Sequence, residues 1–240
     1  MNPFWMCAIT LGILQMTVFF TTIYLHRYLT HRGLTLHPAI SLLMHAHLVV
    51  FAGLVPREWV AVHRKHHQFS DKEGDPHSPY LLGIWNVMFG NYFYYRREAA
   101  NPVTVSKYTP DYKPDLIDRI PNSHWGIVLG FGLFMLMFGP LWGFVAMTSQ
   151  AVLYVLLSAA INGLCHYSGY RNFDNTATNL RFLALLTGGE GLHNNHHGFP
   201  RSPKFSFRAS EIDPAWPLIK LLIALKLATP SKTIDELAAV

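Results

Sequence analysis

Hydrophobic and polar positions along this chain fall into long blocks rather than short alternations. From Phe4 to Leu25 there is no Asp, Glu, Lys or Arg. At about 1.5 Å of rise per helical residue, a stretch of that kind crosses a hydrocarbon core of roughly 30 Å. It predicts a membrane-spanning helix. A removable signal peptide is not expected, because neither a basic leading region nor a small-residue cleavage site precedes His26. A second charge-free block, Trp125 to Cys165, has the length for two crossings, over approximately 122–138 and 143–165. Phe138-Gly139-Pro140-Leu141 marks the turn between them. A further apolar stretch, His37 to Val55, carries His45 and His47 and ends at Pro56.

The polar positions that interrupt these blocks are dominated by histidine, in three clusters: His26-Arg27-Tyr28-Leu29-Thr30-His31, His63-Arg64-Lys65-His66-His67 and His193-Asn194-Asn195-His196-His197. Residues three and four apart share a helix face, so His63, His66 and His67 are expected to point together, as are His193, His196 and His197. Asn162 and His166 stand four apart at the end of the second arm of the hairpin and are expected to face the same region. Neutral imidazole suits iron, zinc, copper and nickel. A transition-metal centre is the reading that accounts for all the clusters at once.

A shared metal centre constrains topology. If 37–55 crossed the membrane, the first two clusters would lie on opposite faces. It is therefore expected to be an interfacial or re-entrant helix, with His45 and His47 facing polar surface or satisfying neighbours. Leu81 to Tyr95 and Pro214 to Ala228 read as further interfacial helices, and Asp71 to Pro79 as a loop. The expected architecture is a single all-α integral-membrane domain, residues 1–240, with about three spans, interfacial helices over approximately 37–55, 81–95 and 214–228, and a helical cap bearing the histidines.

Composition agrees with a membrane location: 50% of the 240 residues are hydrophobic and 14% are charged, against roughly a quarter charged in soluble domains. Nearly all basic residues lie between Arg57 and Arg119 or from Arg171 onward, which places the histidine side in the cytoplasm. The net charge of +5 belongs to that face and is explained by topology and anionic lipid; no nucleic-acid partner is expected. Cys7 and Cys165 are too few and too separated for a disulfide framework or a zinc site.

Taken in order, the HxxxxH, HxxHH, NxxxH and HxxHH patterns resemble those of the integral-membrane fatty acyl desaturases, of the stearoyl-CoA and bacterial delta-9 type. Flanking residues agree: Arg57-Glu58-Trp59, Asp75-Pro76-His77, Tyr170-Arg171-Asn172-Phe173 and Phe199-Pro200. The resemblance implies two iron ions held by His26, His31, His63, His66, His67, His166, His193, His196 and His197, with Asn162 reaching one iron through water. In recombinant protein zinc is a competitor for such sites. The implied reaction is the O2-dependent introduction of a cis double bond, at the delta-9 position, into a long saturated acyl chain carried by CoA, acyl carrier protein or phospholipid. No catalytic residue beyond the metal centre is implied.

The chain departs from the family pattern in three places. It has one span before the first cluster where the animal enzymes have two, placing the N-terminus outside the cytoplasm. Gly191 stands where bacterial relatives commonly have a second Glu, leaving Glu190 as the carboxylate expected to support an imidazole N–H. These 240 residues contain no HPGG-type haem motif and no fused cytochrome domain is expected, so electrons are expected from a separate ferredoxin or cytochrome b5-like protein with its reductase, in a bacterial inner membrane. The same scaffold also serves fatty acid hydroxylation and oxidative decarboxylation. A His-rich metal transporter or sensor would instead place ligands in mid-span, and a soluble-type carboxylate diiron protein would carry Glu-x-x-His pairs that are missing here.

Overall fold

The computed structural model describes residues 2–120 and 125–239. Helix α1 spans Pro3–Phe20 and runs without a break into a π-helical segment, Thr21–Thr30. After strand β1 (Leu34–Leu36) come α2 (Pro38–Ala52), α3 (Pro56–Phe69), the short α4 (Pro79–Leu82), α5 (Ile84–Ala99) and α6 (Pro102–Tyr108). Helices α7 (Trp125–Phe138) and α8 (Pro140–Tyr167) come next, then α9 (Arg181–Leu186), α10 (His193–Gly198), α11 (Ala215–Ala224), strand β2 (Ala228–Pro230) and α12 (Ile234–Ala238). The molecule is an all-α membrane protein; its two three-residue strands pair antiparallel, Leu34 opposite Pro230 and Leu36 opposite Ala228.

Proline sets many of the starts. Pro3, Pro38, Pro56 and Pro140 each stand in the first turn of their helix, where the missing N–H costs nothing and the fixed φ already suits the helix. Among the described residues two helices have the length and apolarity to cross a membrane, Pro3–Thr30 and Pro140–Tyr167, each of 28 residues. At about 42 Å they overshoot a hydrocarbon core of roughly 30 Å. Their C-terminal turns carry His26 on one helix and His166 on the other, with His31 capping the first. Helix α7 has 14 residues and, at about 21 Å, falls short of a full crossing on its own. The expected start of that span, at 122, lies outside the described residues.

The apolar stretch at 37–55 does not run straight on into α3. Gly53, at φ +60°, closes α2 in the left-handed region, and Pro56 opens α3 at 88° to it. This bend turns the chain back, so α3 packs against the π-helical segment and α6 rather than continuing along the spans. Close backbone approach fixes α7: Gly126 lies against the backbone of Val49, Gly130 against the carbonyl of Val50, and Gly143 of α8 against the backbone of Phe134 and Met135. Small residues at such crossings permit the contact in a lipid setting, where apolar side chains gain little by leaving the bilayer. Leu136, Val128 and Leu141 point outward and are exposed, as lipid-facing residues are.

The cap core joins Ile23, Tyr24 and Leu25 of the π-helical segment to Leu34, Leu36, Leu48, Ile219 and Leu222. One buried ion pair fastens it. Arg27 donates two 2.9 Å hydrogen bonds to the Asp213 carboxylate and others to the carbonyls of Pro203 (2.9 Å) and Gly188 (3.1 Å). Its guanidinium lies 3.8 Å above the Phe205 ring. Asp213 also accepts from the Phe205 and Ala215 N–H groups. Removing one partner strands a charge in a dry interior. Asp213→Ala is expected to destabilise the protein by about 3–5 kcal/mol, read as a lowered unfolding temperature of the detergent-solubilised protein; an unchanged temperature would show that the pair does not hold the cap.

Candidate metal centre

His26 and His31 are five residues apart, which on an α-helix of 3.6 residues per turn leaves them about 140° out of line. The π-helical register greatly reduces that discrepancy. The His31 N–H donates to the His26 carbonyl at 3.1 Å, an i to i−5 bond, and the Thr30 hydroxyl donates to the Leu25 carbonyl at 2.7 Å across the same interval. Widened in this way, the helix brings the two rings to 4.9 Å between centroids. Such segments are rare in proteins and frequent at functional sites.

Of the two or three histidines that each HxxHH could offer to one point, the structure brings two together and sends the third to the other group. In each, the pair four apart goes one way and the remaining histidine another, because consecutive helical residues are turned by about 100°. His63 and His67 of α3 join His26, His31 and His196; His193 and His197 of α10 join His66 and His166. Within each group the nearest ring nitrogens all lie within 4.8 Å of one another. All nine sequence-predicted histidines are thus gathered, five in one group and four in the other.

The nitrogens converge as donors to a common ion would. Nε2 of His196 lies 2.9 Å from Nε2 of His26 and 3.0 Å from Nε2 of His67, and Nε2 of His197 lies 3.2 Å from that of His193. Two ligands on one metal at about 2.1 Å stand roughly 3.0–3.4 Å apart. Nε2 of His31, His63, His66 and His166 is buried with no hydrogen-bond partner among the described residues, a costly arrangement unless something accepts the lone pairs. Burial, and after it the neighbouring imidazoles, hold His31, His63, His67, His193, His196 and His197 well below the usual imidazole range. They are neutral, the form that binds metal. The residues present fit two metal ions.

Carboxylates stand behind three of the rings. Glu190 lies 2.7 Å from Nδ1 of His26 and also accepts from the Thr22 hydroxyl. Asp75 sits 3.0 Å from Nδ1 of His66, and Asp71 2.7 Å from Nδ1 of His166. Burial would push the Asp75 carboxyl up, but His66 and the backbone N–H of His77 more than offset it, holding the group well below the carboxylate range. Gly191, beside Glu190, has no room for a side chain: a Cβ would strike the backbone of Leu180 and Ala184. Sequence reasoning anticipated Glu190 but gave Asp71 and Asp75 no role. The available signal was two acidic residues four and eight positions beyond an HxxHH, where the chain reverses.

Buried amides hold α10. Asn195 donates to the Phe205 carbonyl (2.9 Å) and Glu211 (2.8 Å) and accepts from Asn172 and Asn179 (2.8 and 2.9 Å). The side-chain oxygen of Asn194 accepts the backbone N–H groups of Asn172 and Phe173, and its amide donates to Asn175 and to the Ala177 carbonyl. The two residues between the histidines are therefore the anchors of the turn. His45 and His47 lie in neither group; His45 pairs with Asp115 at 2.7 Å, and His47 with the Thr17 hydroxyl at 2.9 Å.

A cavity of about 550 Å³ opens beside both groups, lined by His26, His63 and His193 with Trp59, Glu190 and Asn162. Trp59 stacks on His63, ring centroids 4.8 Å apart, and Asn162 donates to Asn91 at 3.0 Å. From the histidines the cavity reaches Val18 on α1 and Ala151 on α8, about 12 and 16 Å along those helices from His26 and Asn162. Its wall is mostly apolar, as an alkyl chain requires, with the Thr21 and Tyr154 hydroxyls hydrogen-bonded to each other.

A family model described as fatty acid desaturase matches residues 3–220. An acyl-CoA C20 Delta5-desaturase of Anemone leveillei is 32% identical over 98% of this chain and 76% of its own length. The sn-1 stearoyl-lipid 9-desaturase of Anabaena variabilis is 32% identical over 90% of this chain and 79% of its own, and Delta-9 acyl-lipid desaturase 2 of Arabidopsis thaliana 31% over 95% and 73%. With that coverage, and with histidine groups able to hold metal beside an apolar cavity, this chain belongs to the fatty acid desaturase family and is an acyl desaturase, an oxidoreductase.

Proposed function

We propose that this desaturase places a cis double bond at the delta-9 position of a long saturated acyl chain, using O2 and two irons. His26, His31, His63, His67 and His196 would hold one iron, and His66, His166, His193 and His197 the other. Asn162, four residues before His166 on α8, would reach the second through water. The observation that carries this reading is the convergence of nine imidazoles, six of them on buried residues, on two points beside one mostly apolar cavity. The delta-9 position rests on the relatives whose names specify it.

Bound iron supplies the activation of O2 that an unactivated C–H bond demands. The sum is a methylene pair, O2, two electrons and two protons going to an alkene and two waters. The electrons come from a separate ferredoxin or cytochrome b5-like carrier.

The chain's own residues position and exclude. The cavity wall between Val18 and Ala151 takes the acyl tail out of water and sets one methylene pair beside His26, His63 and His193. Trp59, stacked on His63, fixes that ring and closes one side. A dry, shaped site protects reactive species from side reactions. The excess of Lys and Arg on the cap supports a cytoplasmic orientation of this face, and the membrane proposed for it is a bacterial inner membrane. The acyl group is presented there on CoA, acyl carrier protein or phospholipid.

Lipid profiling by gas chromatography and mass spectrometry, in a host lacking its own desaturase, tests the reading. Monounsaturated chains with the bond at the ninth carbon are expected; a bond at the fifth would overturn the position, and hydroxy acids or terminal alkenes would overturn the reaction. His66→Ala or His196→Ala is expected to abolish product while the protein still elutes as a folded species in detergent, since the spans do not depend on either ring. Retained turnover in either variant would remove that residue from the ligand set. His47→Gln is expected to keep most activity, because His47 touches Thr17, Phe20 and Phe51 and neither histidine group.

A further inference from the structure

The carboxylates behind the imidazoles are unevenly distributed. In the group of five histidines, among the described residues, only His26 has one, Glu190, and that oxygen is shared with Thr22. In the group of four, His66 has Asp75 and His166 has Asp71. Both come from a single loop, the turn between α3 and α4. Their pairs are dry: the His66 and Asp75 side chains are 1% and 0% exposed, those of His166 and Asp71 0% and 3%.

The loop is built around these two acids. Asp71 takes a left-handed backbone, φ +59°, a conformation that Asp tolerates better than most residues. Its N–H donates to Asp75 at 2.8 Å, and its other carboxylate oxygen accepts from Ser78 at 2.8 Å. Asp75 also accepts the His77 N–H at 3.0 Å. Each carboxylate is therefore oriented by the loop as well as by its histidine, and each histidine comes from a different helix, α3 or α8.

Resting on the diiron reading above, we infer that Asp71 and Asp75 form a two-carboxylate clamp dedicated to the four-histidine position, making the two metal positions chemically unequal. An imidazole that donates its Nδ1–H to a carboxylate is a stronger base at Nε2 and is fixed in tautomer and orientation. Two such rings out of four offset the missing fifth imidazole. They concentrate negative charge behind one metal position, whereas the other relies on number of ligands. Asp71 and Asp75 are positioning residues that act through His166 and His66.

The test is reconstitution of the purified, metal-stripped protein with ⁵⁷Fe(II), reading iron per chain by mass spectrometry and the environment of each iron by Mössbauer spectroscopy. Wild type is expected to take two irons giving two distinguishable signals. Asp71→Asn with Asp75→Asn should weaken one position by about 10–100-fold per carboxylate. Iron would then fall toward one per chain at limiting metal, with loss of one signal and retention of the other. Glu190→Gln should perturb the signal that the double variant retains. If the double variant does not elute as a folded species, the two single variants are read the same way, and both must affect the same signal. Equal loss from both positions, or two irons with unchanged spectra in the variants, would overturn the inference. Failure of wild type to take two irons would instead defeat the diiron reading itself.

Discussion

Nine imidazoles that must stay aimed at two points are the constraint on which this structure depends. Most lie on buried residues, and several buried ring nitrogens have no hydrogen-bond partner among the described residues. Groups so arranged would not persist on flexible supports, because an unpaired buried polar atom favours any opening that lets water in. The supports are correspondingly stiff. Two 28-residue helices hold His26 and His166 in their C-terminal turns, with His31 capping the first. Arg27, buried next to His26 in sequence, pins one of those helix ends to the C-terminal segment through Asp213. The amides of Asn194 and Asn195 pin the six-residue α10.

Membrane and cap divide the labour along the same helices. The hydrophobic blocks supply anchorage and the apolar cavity wall. The bend of 88° between α2 and α3 keeps α3 on the side to which the first histidines emerge. A straight continuation would have carried His63, His66 and His67 away from His26 and His31. Gly53 and Pro56, at that corner, matter to the site although neither touches a ring. The π-helical segment acts likewise: it is a backbone solution to a side-chain requirement.

The parts legible in the sequence are those written as composition or period. Charge-free blocks marked the two long apolar helices and the hairpin turn at Gly139, and the three clusters with His166 contained all nine histidines of the groups of five and four. The geometric condition that the clusters share a face identified 37–55 as something other than a simple crossing. What escaped was set by backbone register and long-range contact. An HxxxxH pair looks misaligned until the helix widens, and propensity carries no signal for that widening. The shared-face rule treated His66 with His63 and His67, yet about 100° of rotation between neighbours is enough to send it to a different group. Asp71 was hidden because its partner, His166, stands 95 positions away, and Asp75 because its contact with His66 exists only where the loop between them turns back.

The adjacent pairs His66-His67 and His196-His197 each straddle the two groups, one ring in either. Across the divide, His67 and His197 lie face to face, centroids 4.2 Å apart and planes inclined by 13°. Consecutive Cα atoms are fixed at about 3.8 Å by the planar trans peptide, so each His-His dipeptide ties one ring of either group to its neighbour in the other. Two such ties, from different helices, bind the groups together by covalent connection as well as by packing, and neither group can be drawn away whole without the other.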